Sequence, residues 1–221
     1  MSGRPDRAPS LVLASASPRR RELLGRIGLE PEVVPAEVDE TPRPEEPADG
    51  FALRVAGDKA SAVAASRPGA VVLAADTAVV LDGVPLGKPA DEDDALVMLT
   101  RLSGRVHEVL TAVVVIGPDG RRHAAVEAAS VTMAVSTRDE LAWYVGTGEP
   151  LDKAGAYAVQ GLGAVLVERV EGDPTTVIGL PLRRTVHLLR AAGVPWPVLR
   201  QGRDPAPTAS RGGGGRGGGR G

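Results

Sequence analysis

The sequence predicts an α/β protein with a mixed sheet. Segments of strand character alternate with segments of helical periodicity along the chain, which excludes an all-α or all-β protein. Two strand pairs are joined by hairpin-type turns, Asp82-Gly83 and Pro118-Asp119-Gly120. Part of the sheet is therefore antiparallel, which a purely parallel sheet with crossover helices does not allow.

The elements follow in order. Residues 11–14, LVLA, are a short apolar run suited to a buried strand. Ser17 fits an N-cap and Pro18 a first helical position, and Leu23, Leu24 and Ile27 keep helical spacing until Gly28 stops the helix. Residues 32–38 read as a strand, the Pro- and Glu-rich residues 41–49 as an exposed loop, and 50–66 as a helix that Gly57 weakens. Residues 71–75 form a second buried strand ending on Asp76-Thr77, followed by a hairpin over 78–86. A helix over 91–102 carries acidic residues in its first turn, as the helix dipole favours. Residues 107–116 and 123–135 form the second hairpin. Thr137 to Glu140 matches a capping box opening a helix through 145. A strand over 164–170, a turn over 171–174 and a closing helix over 181–192 complete the body, with Gly193 past its end. No internal repeat is present.

Composition narrows the function. The 221 residues suit one domain or two small lobes sharing a core, and 43% hydrophobic with 24% charged residues is ordinary for a soluble globular protein. The net charge of −2 supplies no field that selects nucleic acid or an anionic membrane. With no cysteine there is no disulfide framework, thiolate metal site or cysteine nucleophile. Aromatics at 2% are too few for a base-stacking platform. The first residues lack the apolar core of a signal peptide, and runs such as 109–116 are too short to span a bilayer, so a cytoplasmic protein is expected. Residues 1–9 read as a loose leader, 10–200 as the functional domain and 201–221 as a disordered tail ending SRGGGGRGGGRG. That tail reads first as a solvated flexible end, with a weak RNA contact as the other reading.

Several clusters can carry chemistry. Ser15-Ala16-Ser17-Pro18-Arg19-Arg20 puts a Ser-rich turn and a basic first turn at a helix start, where free N–H groups and the dipole favour an anion. A phosphate site and a plain solvent-exposed basic turn both fit. Asp76-Thr77, at a strand end, stands where α/β proteins bind ligands, or is an ordinary turn. Glu37-Val38-Asp39-Glu40 can hold Mg²⁺ through oxygen ligands or be a solvated acidic turn. Lys88 and Lys153 sit in Gly/Pro-bounded turns that can face a cleft, and Lys59 stands on a helix. Ser103-Gly104-Arg105-Val106-His107, with Thr111, offers His107 as a base or ligand, although a lone His at a strand start is more often structural, and three histidines with no cysteine argue against a zinc site of ordinary composition. Gln160, between flexible turns, can donate to and accept from a nucleobase edge, or face water.

Taken together and in order, LASASPRR, EVDE, AADTAVVLDGVPLGKP, LSGRVHEVLTAV, EPLDKAGAYAVQG and GLPL closely resemble the Maf family, nucleoside triphosphate pyrophosphatases also called septum formation proteins. The resemblance spans roughly residues 10–193 and excludes the tail. It implies a central mixed twisted sheet flanked by helices, with two lobes around a cleft, similar to the house-cleaning inosine triphosphatases. It implies hydrolysis of a nucleoside triphosphate to monophosphate and pyrophosphate with a divalent cation, Mg²⁺ or Mn²⁺. The family's catalytic positions fall on Asp76, Glu40, Lys59 and Lys88, its metal carboxylates on Glu40 and Asp76, and its first-loop positions on Ser15, Ser17, Arg19 and Arg20. Arg19, Thr77 and Gln160 match the specificity positions of the dTTP/UTP branch, which extends the expectation to modified pyrimidine nucleotides and a pool-sanitising role. Asp39 in EVDE, where Glu is common, and Ala158, where Gly is common, depart from the pattern. The 7-methyl-GTP branch and a non-catalytic nucleotide-binding regulator of septation remain as alternatives. A nucleotidyltransferase is disfavoured because residues 15–20 lack its glycine-rich loop. The expected partner is the nucleoside triphosphate, with no membrane and no specific nucleic acid; a homodimer is left open.

Overall fold

An uninterrupted apolar run places side chains on both faces of a strand, so it needs cover on both sides. In the computed structural model, which describes residues 9–197, that cover comes from helices. The tail and all but Pro9 of the expected leader lie outside the described residues. One seven-stranded sheet contains β1 (Leu11–Leu13), β2 (Glu32–Val33), β3 (Val71–Leu81), β4 (Val84–Leu86), β5 (Val106–Ile116), β6 (Arg122–Met133) and β7 (Val167–Glu171). The order is β2-β1-β3-β5-β6-β7, with β4 on the β1 side of β3. β1 runs parallel to β2 and β3, and every other pairing is antiparallel, so the sheet is mixed as expected. The helices are α1 (Pro18–Arg26), α2 (Ala48–Ser66), α3 (Glu92–Leu102), α4 (Arg138–Val145), α5 (Pro174–Ile178) and α6 (Leu182–Ala191).

Side-chain alternation along β3 divides the core. Val71, Leu73 and Ala75 pack with Leu23 and Leu24 of α1 and Leu188 and Leu189 of α6. Val72 and Ala74 face Ala52, Ala56, Ala60 and Val63 of α2. Beyond Asp76, Val79 and Leu81 join a third cluster with Leu99 of α3, Tyr144 of α4, Val109 and Met133. The long strands β3, β5 and β6 thus run through two lobes. One is a sheet half sandwiched by helices, and the other carries α3 and α4.

The lobes part at a notch. β1 pairs with β3 only from Val71 to Leu73, and β4 only from Val79 to Leu81. Between them, residues 74–78 of β3 have no strand neighbour on that edge, while the opposite edge stays paired to β5.

Several expectations need correction. β3 does not end at Asp76-Thr77 but continues to Leu81, so these residues sit mid-strand. The second strand shrinks to two residues between Pro31 and Pro35, since proline cannot donate to a ladder. The expected strand over 164–170 begins as a 3₁₀ turn over Leu162–Leu166, and the turn at Pro174 opens the short helix α5. Gly57 does lie inside α2, and its missing side chain has a use. A Cβ there would stand 2.6 Å from Arg122 Nη2, so glycine lets the Arg122 side chain cross the helix.

Leu99 is fully buried in the α3 lobe and Val97, on the same helix, is 56% exposed. Leu99→Ala should destabilise the protein by about 2–5 kcal/mol. Val97→Ala should stay within about 0.5 kcal/mol. Urea denaturation of the two variants checks this pair.

Candidate active site

The notch opens into a cleft of about 630 Å³ between the lobes. Residue 76 shares its strand face with residues 72 and 74, the face that α2 covers. Asp76 therefore meets Lys59, whose Nζ lies 2.8 Å from Asp76 Oδ1. The same Nζ lies 2.8 Å from Glu40 Oε1, brought in by the loop after β2. Lys59 and Asp76 are buried, whereas half of the Glu40 side chain is exposed on the cleft side. Burial lifts the Asp76 carboxyl above its usual range, against the pull of Lys59 and Arg20.

On the other face of β3, Thr77 starts a chain of hydrogen bonds with a defined direction. Thr111, paired with Thr77 in the β3–β5 register, donates to the Thr176 carbonyl at 2.7 Å. Its one proton is thereby used, so in the 3.0 Å contact between the two hydroxyls Thr77 donates to Thr111. Thr77 in turn accepts from Arg20 Nη2 at 3.3 Å. Arg20 also donates to Ser15 Oγ at 3.1 Å and to the Gly179 carbonyl at 2.9 Å. Gly179 is needed here: its φ is +114°, and a Cβ would stand 3.3 Å from Thr77 Oγ1.

The first loop and α1 form the opposite wall. Ser17 is the N-cap and Pro18 opens the helix as expected, and among the described residues the Ser17 side chain makes no capping bond. Ser15 Oγ accepts from the Ser17 N–H at 3.2 Å and from Arg20, which leaves its own proton available to a ligand. Arg19 reaches Asp152 at 3.4 Å across the cleft. Lys153 meets Asp152 at 2.5 Å and donates to the Glu149 carbonyl. Lys88 is exposed on the rim after β4 and has no salt bridge among the described residues. The cleft's cationic side chains, Arg19, Arg20, Lys59, Lys88 and Lys153, outnumber its carboxylates, Glu40, Asp76 and Asp152.

Gln160 is half-buried in the cleft wall, and Tyr157 contributes to the same lining. His107 sits behind it, its Nε2 2.8 Å from Tyr157 Oη and its rings edge-to-face at 5.3 Å. Burial lowers the His107 pKa to about 4, so the imidazole is neutral and structural, as its place at the start of a strand suggested. The structure thus brings Ser15, Ser17, Arg19, Arg20, Glu40, Lys59, Asp76, Thr77, Lys88 and Gln160 to one cleft. Glu37 and Asp39, from the same acidic run, do not line it.

Sequence reasoning missed the residues that hold the Glu40 loop. Arg54 on α2 donates to both Glu46 oxygens, at 2.7 and 2.9 Å, and to the carbonyls of Thr41 at 3.0 Å and Asp39 at 3.4 Å. One guanidinium therefore grips the loop on both sides of Glu40. The spacing of Arg54 from Glu46 crosses a loop-to-helix junction, which no helical or strand periodicity reveals.

Fold and site together define an α/β protein with a charged interlobe cleft suited to a polyanionic ligand. Residues 10–192 match the profile of the family described as Maf-like protein. The chain belongs to the Maf-like family. It is 57% identical over 201 residues to a protein of Anaeromyxobacter dehalogenans named dTTP/UTP pyrophosphatase, covering 87% of this chain and 99% of that one. A Myxococcus xanthus protein of the same name is 52% identical over 189 residues, with 85% and 94% covered. Among solved structures, a HAM1 protein from Coxiella burnetii aligns with a TM-score of 0.44 at 14% identity, covering 84% of this chain and 94% of that one.

Arg54 draws the Glu46 carboxyl down to about 2, with burial opposing and the Arg43 N–H assisting. A depressed carboxyl pKa contributes stability that is complete above the unfolded value and is lost as pH falls through the folded one. The gap in urea midpoint between wild type and Glu46→Gln should hold from about pH 7 to about pH 5. It should shrink steadily below pH 4.5, the ordinary carboxyl value. A gap independent of pH would show that the ion pair is not its source.

Proposed function

We propose that this protein hydrolyses nucleoside triphosphates to the monophosphate and pyrophosphate, with dTTP and UTP as substrates. The observation that carries the reading is the buried Asp76 at the open edge of β3, paired with Lys59 and facing the basic first loop. The shared name of the relatives reported above supports the pyrimidine substrates. It also favours this branch over the 7-methyl-GTP alternative and over a non-catalytic septation regulator. The reading extends to modified pyrimidine triphosphates and a sanitising role in the cytoplasmic nucleotide pool. Among the described residues, no helix is long and apolar enough to cross a membrane.

A divalent cation, Mg²⁺ or Mn²⁺, fits the donor set. Glu40 and Asp76 each bring one carboxylate oxygen to 2.8 Å from Lys59 Nζ, which makes the two carboxylates neighbours whose other oxygens would meet an ion. Mg²⁺ commonly takes one or two protein carboxylates and completes its shell with phosphate oxygens and water. No cluster of three or more His, Cys, Asp or Glu is present among the described residues, so Glu40 and Asp76 would hold the ion jointly with the substrate. When bound, it supplies charge neutralisation along the phosphate chain.

The remaining work belongs to the chain's own residues. Asp76 accepts the proton of the water that attacks the α-phosphorus; a carboxyl lifted by burial is the stronger base. The bond from that phosphorus to the bridging oxygen breaks, and pyrophosphate leaves. Arg19, the Ser15 hydroxyl and the free N–H groups of α1 receive the phosphate oxygens, and Lys88 adds a point charge at the rim. Lys59 holds the two carboxylates in register. At the other end, the Gln160 amide accepts from the uracil or thymine N3–H and donates to a ring oxygen. Cytosine inverts that pattern.

Asp76→Asn should lower kcat for pyrophosphate release from UTP by roughly 10²–10⁴-fold with KM little changed. Near-wild-type turnover by this variant would remove Asp76 as the base. With wild-type protein, kcat/KM for UTP and dTTP should exceed that for CTP by at least about tenfold. Equal rates would remove Gln160 as the reader of the base.

A further inference from the structure

Gln160 is the proposed base reader, yet its carboxamide makes no hydrogen bond among the described residues. Nothing on its own side chain fixes where the amide stands. Its position is inherited from the backbone of residues 158–163.

That backbone rests on two side chains from outside the cleft. Glu149 Oε1 accepts from the Gly163 N–H at 3.0 Å and from the Tyr144 hydroxyl at 2.9 Å. Glu149 Oε2 accepts from the Leu162 N–H at 3.1 Å. The Tyr144 hydroxyl accepts in turn from the Ala158 N–H at 3.2 Å. One carboxylate and one phenol therefore hold the chain on both sides of Gln160. The approach is close enough to exclude side chains. A Cβ at Gly163 would lie 2.5 Å from Tyr144 Oη, and one at Gly161, whose φ is +91°, would lie 2.6 Å from Glu149 Oε2. Tyr144 itself is fully buried in the α3–α4 core, so the anchor is as rigid as that core. Burial opposes ionisation of Glu149, but the N–H groups of Gly163 and Leu162 and the Tyr144 hydroxyl outweigh it and hold the carboxyl below its usual range. An ionised carboxylate is required because all three partners are donors, and an amide in its place must turn an NH₂ toward one of them.

We propose that Glu149, acting with Tyr144, is the positioning residue that sets pyrimidine selectivity by fixing the backbone that carries Gln160. The inference rests on the proposed pyrophosphatase reading. It assigns selectivity to a pair of residues that do not line the cleft.

Steady-state kinetics with UTP and CTP test it. Wild type is measured first: no pyrophosphate release from either nucleotide overturns the functional reading, and release without preference for UTP overturns Gln160 as the base reader and this inference with it. With that preference in hand, Glu149→Gln and Tyr144→Phe should each raise KM for UTP about tenfold and lower kcat far less. Each should also reduce the UTP/CTP ratio of kcat/KM by about tenfold, about the effect of one lost hydrogen bond. Tyr144→Phe keeps the buried ring, so it serves where Glu149→Gln folds poorly. In a Gln160→Ala background, adding either substitution should move the ratio less than about twofold, because the group it positions is gone. An unchanged ratio in both single variants overturns the positioning role and leaves the pyrophosphatase reading standing. So does an equal change in the Gln160→Ala background.

Discussion

The ammonium of Lys59 between the carboxylates of Asp76 and Glu40 is the constraint around which the cleft is arranged. Lys59 and Asp76 are both nearly excluded from solvent, and an unpaired charge in such a place costs several kcal/mol. Each needs the other, so α2 must lie on the face of β3 that carries Asp76. Glu40 must reach the same point from outside the sheet, which demands an open strand edge. β1 supplies the opening by ending at Leu13. The chain then turns through Ala14–Ser17 into α1, so the act of opening the edge also delivers a helix N-terminus and its arginines to the gap. The acidic and basic walls of the cleft are two consequences of one strand stopping early.

Neighbouring arginines in that first turn do different work because successive helical residues point about 100° apart. Arg20 is committed to Ser15, Thr77 and the Gly179 carbonyl, and ties the first loop to β3 and to the end of α5. Arg19 has only a long contact to Asp152, whose side chain is largely exposed. An exposed pair at 3.4 Å is weak, so an incoming phosphate can displace it at little expense. The sequence presents RR as a single basic signal, whereas the structure separates a brace from a weakly paired arginine that lines the cleft.

Much of the fold was legible in the residues. The Thr137–Glu140 capping box forms as its spacing predicts, with both reciprocal bonds, and Asp91 caps α3 through the Asp94 N–H. Both hairpins lie at their turn sequences, because local chemistry alone determines them. Asp76 was read on the right strand but at its end, whereas it stands mid-strand and lines the cleft. An Asp-Thr pair after an apolar run reads as a strand end, since aspartate has low strand propensity. Only the ammonium of a helix seventeen residues earlier in the chain makes mid-strand aspartate tolerable. α5 had its signal in Asp173 and Pro174, but five residues are too few for periodicity to register. Thr111, Gly179 and Glu149 lay inside motifs that carry the family resemblance but had no role assigned, and Arg54 gave no signal at all. Each acts through partners distant along the chain or on a different element, and none carries a pattern of its own.

The two ends of the cleft are held by different physics. At the phosphate end the groups are charged, and their positions follow from mutual neutralisation. Around Gln160 the backbone is held by two phenols and the Glu149 carboxylate. The protein has two tyrosines, and both hydroxyls anchor the same stretch of chain: Tyr157 to His107 at its start, Tyr144 to Glu149 and Ala158 along the rest. A phenol suits this task because its ring packs in a core while its hydroxyl reaches a polar partner at the core's edge. Burial keeps His107 neutral, so the Tyr157 anchor adds no charge to this stretch. A uracil edge offers only hydrogen-bonding groups and no charge. A rigid setting, with the one carboxylate at this stretch held fixed by its three donors, lets the direction of those bonds discriminate, whereas a mobile ion would meet any pyrimidine dipole that turned toward it.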